Sequence, residues 1–276
     1  MPRWLNRQRK NEQGHKKMDI LTTTEAGLLT LTFNRLPRKN AITAVMYQTM
    51  ADALVAANTD TTIRAILIAG QPEIFTAGND LDDFMKNSAL VPGMKPEDRA
   101  VFQFMRALIG CTKPVIAAVS GAAIGIGTTL LLHCDLVYCA DTAKFSMPFT
   151  QLGLCPEFGS SLLFTQLAGY PRAAEKLLLG DSFTAMEAFD MGLVSKVLGA
   201  AELLPFAQQQ AARLIALPAA SVRTTKALMK QPRMEATLAS IAAENERFSA
   251  MLLAPEAKEA FTAFFEKRKP DFSAFD

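Results

Sequence analysis

Histidine is nearly missing from this chain: 276 residues hold only His15 and His133. One lies in a polar tail and the other follows Leu130-Leu131-Leu132, a poor basis for a histidine triad or a zinc site. Cysteine is scarce too. Cys111, Cys134, Cys139 and Cys155 show no C-x-x-C spacing and sit in apolar segments, so they read as buried free thiols in a reducing compartment. Net charge is almost absent, at +2, which removes the electrostatic ground for a nucleic-acid partner. No uninterrupted apolar run has the length of a bilayer span, so no membrane role is expected. Nucleotide and hydrolase signatures fail on residues. There is no G-x-x-x-x-G-K-[ST]; a G-x-G-x-x-G starting at Gly125 ends on Leu130; Ser160-Ser161 lacks the G-x-S-x-G frame.

What is present is a globular chain, half hydrophobic and one fifth charged. Residues 1–17 carry Arg3, Arg7, Arg9, Lys10, Lys16 and Lys17 against Glu12 alone, with no apolar core. That pattern excludes an ordinary secretory signal and reads as a disordered basic extension, with Met18 as an alternative start behind it. A cytoplasmic location is expected, with a mitochondrial or peroxisomal one as the alternative in a eukaryote. The C-terminal Ser273-Ala274-Phe275-Asp276 carries no peroxisomal tripeptide.

After the tail, Ile20–Thr24 and Leu28–Asn34 read as strands joined by a turn at Glu25-Ala26-Gly27. Val45–Ala57 has helical spacing, while AILIA (65–69), Val115–Val119 and Asp135–Cys139 are short apolar strands. The segment Gly121–Gly127 reads as a turn of small residues leading into a helical run, Thr128–His133. Strands alternating with helices imply an α/β architecture, with residues 18–200 as its core. Beyond residue 157 only Val194–Val197 looks extended. From 201 to 276 the pattern is amphipathic helix: Ala201–Leu217, Ala219–Lys230, Met234–Leu253 and Pro255–Lys267. Such faces need the core or a second subunit to cover them.

Two strand-to-helix turns could carry chemistry. FTAGND (75–80) and GAAIGIG (121–127) both place unpaired backbone N–H groups at a helix start, where negative charge is favoured. Brought together, they could hold a developing oxyanion. Spacing alone favours two ordinary tight turns. Glu157, in an apolar LCPEFG stretch before a helix, reads equally as an acid favoured by the helix dipole and as a desolvated proton carrier.

Taken in order, FTAGNDL (75–81), KPVIAAVSGAAIGIG (113–127), CDLVYCADTAKFSMP (134–148), LGLCPEFGSS (152–161) and EKRKP (266–270) resemble the enoyl-CoA hydratase/isomerase, or crotonase, superfamily. The likeness runs from about residue 19 to the end. It implies a crotonase-like spiral of repeated β-β-α units with a C-terminal helical trimerisation region, assembled as trimers or dimers of trimers. It implies an acyl-CoA thioester substrate, with coenzyme A as part of that substrate and no separate cofactor or metal. By the same resemblance Ala77 and Ile126 supply the two oxyanion N–H groups, flanked by Gly78, Asn79, Asp80 and Gly125. Lys39, Asn40 and Ala41 match the loop along the CoA nucleotide, and Phe264 and Lys267 match C-terminal residues that reach CoA.

The two glutamates that hydratases of the superfamily use fall here on Thr129 and Phe149. Neither can act as a general base, which argues against two-glutamate hydration. GNDL, GAAIGIGTTLL and PFTQLGLCPEFGSS are instead similar to monofunctional 3-enoyl-CoA to 2-enoyl-CoA isomerases, whose catalytic glutamate takes the place of Glu157. The resemblance therefore implies a double-bond isomerase of fatty-acid β-oxidation. The alternatives are a hydratase working with Glu157 and a bound water, and a non-catalytic acyl-CoA or protein-binding module.

Overall fold

The computed structural model describes residues 18–87 and 98–275; the basic extension at 1–17 lies outside them. The chain opens with an antiparallel pair, β1 (Ile20–Glu25) and β2 (Leu28–Phe33). Alternation along β2 turns Leu29, Leu31 and Phe33 inward. Helix α1 (Ala44–Thr59) follows, its first turn capped by the Thr43 hydroxyl accepting from Met46 N–H. Then come β3 (Ala65–Ala69), β4 (Ile74–Thr76), α2 (Leu81–Asn87) and α3 (Ala100–Ile109). Next are β5 (Val115–Val119), β6 (Ala122–Ile124) and the single turn α4 (Ile126–Thr129). β7 (Leu136–Ala140) and β8 (Lys144–Ser146) lead to α5 (Ser160–Ala168) and α6 (Tyr170–Leu179). The chain ends with β9 (Phe183–Thr184), α7 (Ala185–Asp190), β10 (Lys196–Leu198), α8 (Ala200–Ala216), α9 (Ala219–Met251) and α10 (Pro255–Glu266).

A long strand is followed by a short one three times: β3 by β4, β5 by β6, β7 by β8. The long members sit in a six-stranded sheet of order β1-β2-β3-β5-β7-β10, the short ones in a second sheet of order β4-β6-β8-β9. Each β-β-α unit thus crosses between two sheets, and the units stack in parallel. The central strands β3 and β5 are buried at every position, which is why they read as unbroken apolar runs. Methionine, leucine and phenylalanine of α1 and α3 cover one face, including Met50, Leu54, Phe104 and Leu108. Leu203, Ala207 and Ala211 of α8 cover the other. At the corner between β5 and β6, Gly121 has φ +59°, and a Cβ there would collide with the Glu73 carbonyl oxygen. Only glycine lets successive corners stack so closely.

Three expectations change. The four short strands of the second sheet were not expected, and β6 lies inside a segment that reads as a turn. Val194–Val197 becomes β10 at 196–198. The two helices expected at 219–230 and 234–253 are one, running through Pro232. A proline there removes one hydrogen bond, to the Leu228 carbonyl, and that residue is exposed enough for water to satisfy it. Among the described residues, no helix is long and apolar enough to cross a membrane.

Candidate active site

The stacked corners open into a cleft of about 1280 Å³. Its walls come from the 38–41 loop, the end of β4, the β6–α4 turn, the segment 148–157, and α9 and α10. The two turns singled out in the sequence meet here. β4 pairs in parallel with β6, and Gly78 packs so tightly on the next turn that a Cβ would sit 2.7 Å from Ile124 O. Ile126 opens α4, where an N–H has no intrahelical acceptor, and it takes no protein acceptor among the described residues. The Ala77 N–H donates to the Lys39 carbonyl at 3.0 Å. One donor is open, then, and its neighbour is held by a loop carbonyl. Lys39 and Asn40 both have positive φ, 51° and 55°, an uncommon run for non-glycine residues.

Glu157 faces this cleft and is 5% exposed. One carboxylate oxygen, Oε1, is fully buried without a hydrogen-bond partner. Burial, reinforced by the charge of Glu244, pushes its pKa from 4.5 up to about 8. The helix-dipole explanation for Glu157 does not hold: the N-terminus of α5 is occupied by Glu244 instead, whose carboxylate accepts from Gly159 N–H at 2.5 Å and Ser161 N–H at 2.9 Å. Phe158, next in the chain, has φ +61° and is held there by burial and by stacking on His133 at 3.9 Å. His133 Nε2–H donates to Phe158 O at 2.8 Å, and burial lowers the imidazole pKa to about 3. It is a neutral brace for the Glu157 turn.

The other residues divide between cleft and scaffold. Lys39, Ala41, Ala77, Gly78, Asn79, Asp80, Gly125, Ile126, Phe149, Phe264 and Lys267 all line the cleft. Asn40 and Thr129 do not. Asn40 is fully buried: its Oδ1 accepts from Arg35 N–H and its Nδ2 donates to Ile74 O and Phe75 O, tying the loop to β4. Thr129 is equally buried and its hydroxyl has no partner. Asp80 lines the cleft but is paired with Arg35 at 2.7 Å, and its Oδ1 accepts from Asp83 N–H at the start of α2. Around Glu157 the surface is apolar: Phe149 meets Phe248 edge-on at 6.5 Å, and Phe248 meets Phe84 at 6.3 Å. At the mouth, Arg38, Lys39, Lys267, Arg268 and Lys269 gather. Arg38 and Arg268 are paired with carboxylates, leaving the three lysines without ion pairs among the described residues.

Two residues near the site were missed. Tyr47 donates through its hydroxyl to Asn79 Oδ1, and burial together with the charges of Glu157 and Asp83 holds its phenol well above the ordinary pKa. Glu244 had a readable signal: it is the one acid on the stripe Thr237, Ile241, Glu244, Phe248, Met251, spaced by three and four.

The family model for enoyl-CoA hydratase/isomerase matches residues 23–274. The chain belongs to that family. It is 36% identical over 252 residues to rat enoyl-CoA delta isomerase 2, covering 91% of this chain and 64% of that enzyme, just under two thirds of its length. It is 31% identical over 256 residues to the 2,3-dehydroadipyl-CoA hydratase of Escherichia coli K12, covering 92% and 98%. Among solved structures, Pseudomonas aeruginosa OdaA is 45% identical with a TM-score of 0.85, over 89% of this chain and 98% of that one. An enoyl-CoA hydratase/isomerase from Pseudoalteromonas atlantica superposes with a TM-score of 0.87 at 38% identity, over 92% and 100%. The fold is therefore the crotonase fold. Isomerases and hydratases stand side by side among these family members, so the choice of reaction rests on the site.

Proposed function

We propose that this chain moves the double bond of a 3-enoyl-CoA to the 2-trans position, with Glu157 as the only proton carrier. The observation that carries this reading is, among the described residues, a single buried, unpaired carboxyl in an apolar cleft, with Thr129 and Phe149 where hydration calls for acids. Glu157 as carboxylate removes a proton from C2, and the electron pair spreads over a dienolate whose charge collects on the thioester oxygen. The protonated side chain then returns the proton at C4, restoring the carboxylate, and the thioester carbonyl re-forms. No water enters the product.

The oxygen sits against Ile126 N–H and Ala77 N–H, the latter exchanging Lys39 O for the substrate. One such donor is commonly worth on the order of 10²–10³ in rate. A carboxyl whose pKa lies near 8 is matched to this task, being a strong enough base near neutrality and a competent acid once protonated. Lys39, Ala41, Phe264 and Lys267 would meet the CoA moiety at the cationic mouth. The isomerase named among the relatives supports the assignment, and with it we propose a place in fatty-acid β-oxidation. Exposed Leu178, Leu179, Met186, Leu228 and Met229 on α6, α7 and α9 support self-association, as a trimer or a dimer of trimers.

The test supplies 3-enoyl-CoA and 2-enoyl-CoA separately to the purified protein. Migration of the double bond is expected to dominate, with little 3-hydroxyacyl-CoA formed. Hydration of 2-enoyl-CoA as fast as isomerisation would refute the reading.

A further inference from the structure

The segment that presents Glu157 makes few bonds of its own. Ser160 N–H and its hydroxyl both donate to Glu157 O, at 3.1 and 2.7 Å. Beyond the His133 bond to Phe158 O, the constraint comes from 83 to 85 residues away. Glu244, 6% exposed on α9, accepts from Gly159 N–H, Ser161 N–H and the Ser161 hydroxyl. A carboxylate is well suited to cap a helix start, yet the α5 N-cap is Gly159, which has no side chain to offer, and the local acid Glu157 faces the cleft instead. The cap therefore comes from a different helix, one that also carries the cleft residue Phe248 one turn later.

We infer that Glu244 is a positioning residue for catalysis, locking the Glu157 turn to α9 so that the base stays over the reacting carbons. This rests on the isomerase reading for its kinetic consequence, though not for its structural one. The titratable groups around Glu157 are Glu244 from α9, whose charge raises it, and Tyr47 from α1 and Cys155 from its own loop, which Glu157 in turn raises. Of these, Glu244 is the one whose charge adds to burial in raising Glu157. A cap and a fixed negative charge are thus supplied by one side chain. The charge keeps Glu157 basic while the hydrogen bonds keep it in place.

The test compares wild type with Glu244→Gln and Ser161→Ala, reading the Glu157 carboxyl directly by infrared difference against Glu157→Gln across pH. Glu244→Gln removes the charge at constant size. Glu157 is expected to titrate lower by on the order of one pH unit, with kcat on 3-enoyl-CoA reduced about tenfold or more. Ser161→Ala keeps the charge and removes one of the bonds to Glu244, along with the hydroxyl contact to Ser240 at 3.3 Å. Its Glu157 titration is expected to match wild type while kcat falls several-fold at unchanged KM. A Glu157 titration unmoved by Glu244→Gln would overturn the inference, and so would a Ser161→Ala enzyme with wild-type kcat, which remains informative if Glu244→Gln does not fold. Because the infrared reading needs no turnover, a protein inactive on enoyl thioesters would sink the isomerase reading and leave the Glu244–Glu157 coupling separately measured.

Discussion

Glu157→Gln is expected to abolish isomerisation and, at alkaline pH, to make the protein harder to unfold. The first half follows from the absence of a deputy among the described residues. Of the other carboxylates on the cleft, Asp80 and Asp82 are both paired with arginine at the mouth. Loss of a sole proton carrier is expected to cost on the order of 10⁴ in kcat, the upper end for general acid–base groups. The second half follows from linkage. Glu157 ionises near 4.5 in the unfolded chain and near 8 in the folded one. Between those values the native state holds a proton that the unfolded state has shed, so its contribution to stability falls as pH rises through the window and is fully present only below it. Glutamine has no such dependence. A tenfold difference in acidity between the two states corresponds to about 1.4 kcal/mol. With water entering the cleft taking back part of the total, the variant is expected to gain roughly 2–4 kcal/mol at pH 8 and little at pH 4.5. Urea denaturation at the two pH values reads this directly, and a variant less stable than wild type at pH 8 would show that Glu157 is not desolvated.

Gly78→Ala is expected to be inactive for the opposite reason, because it breaks the scaffold. Gly78 has φ +86°, and its added methyl would lie 2.7 Å from Ile124 O, a backbone atom with no freedom to swing away. The substitution forces β4 and the β6–α4 turn apart, which moves Ala77 N–H relative to Ile126 N–H. A loss of about 10²–10³ in kcat matches a misplaced oxyanion donor. Left-handed strain and the clash together are expected to cost about 2–4 kcal/mol of stability. The pair of variants is diagnostic: both lose turnover, one gaining stability and one losing it. If Gly78→Ala kept wild-type kcat, the two turns would not form one site.

Part of this architecture is legible in the chain itself. AILIA and Val115–Val119 announce buried parallel strands because both faces are covered, and every residue is therefore apolar. The strands of the second sheet stay hidden, since two or three residues cannot display a period of two. Ala122–Ile124 consequently looks like part of a turn. Asn40 resembles a loop residue facing CoA, and nothing local reveals that it is buried and bonded to β4. Glu157 is the sharpest case. Its own neighbourhood supports a helix-start acid and a catalytic base equally, and the decision lies with Glu244, far along the chain on a helix that Pro232 makes look broken. Resemblance points to Glu157; the long-range cap is the physical reason that its carboxyl is left unpaired in the cleft.

The most direct measurement uses 3-enoyl-CoA carrying deuterium at C2, converted in ordinary water, with the product read by mass spectrometry and NMR. A single buried carboxyl that takes and returns the same hydrogen predicts product in which a measurable share of deuterium has moved to C4. Product bearing only solvent hydrogen at C4 from the first turnover would mean that the hydrogen taken from C2 is not the one returned at C4, through exchange or a second group, and would contradict Glu157 as a closed, single proton carrier.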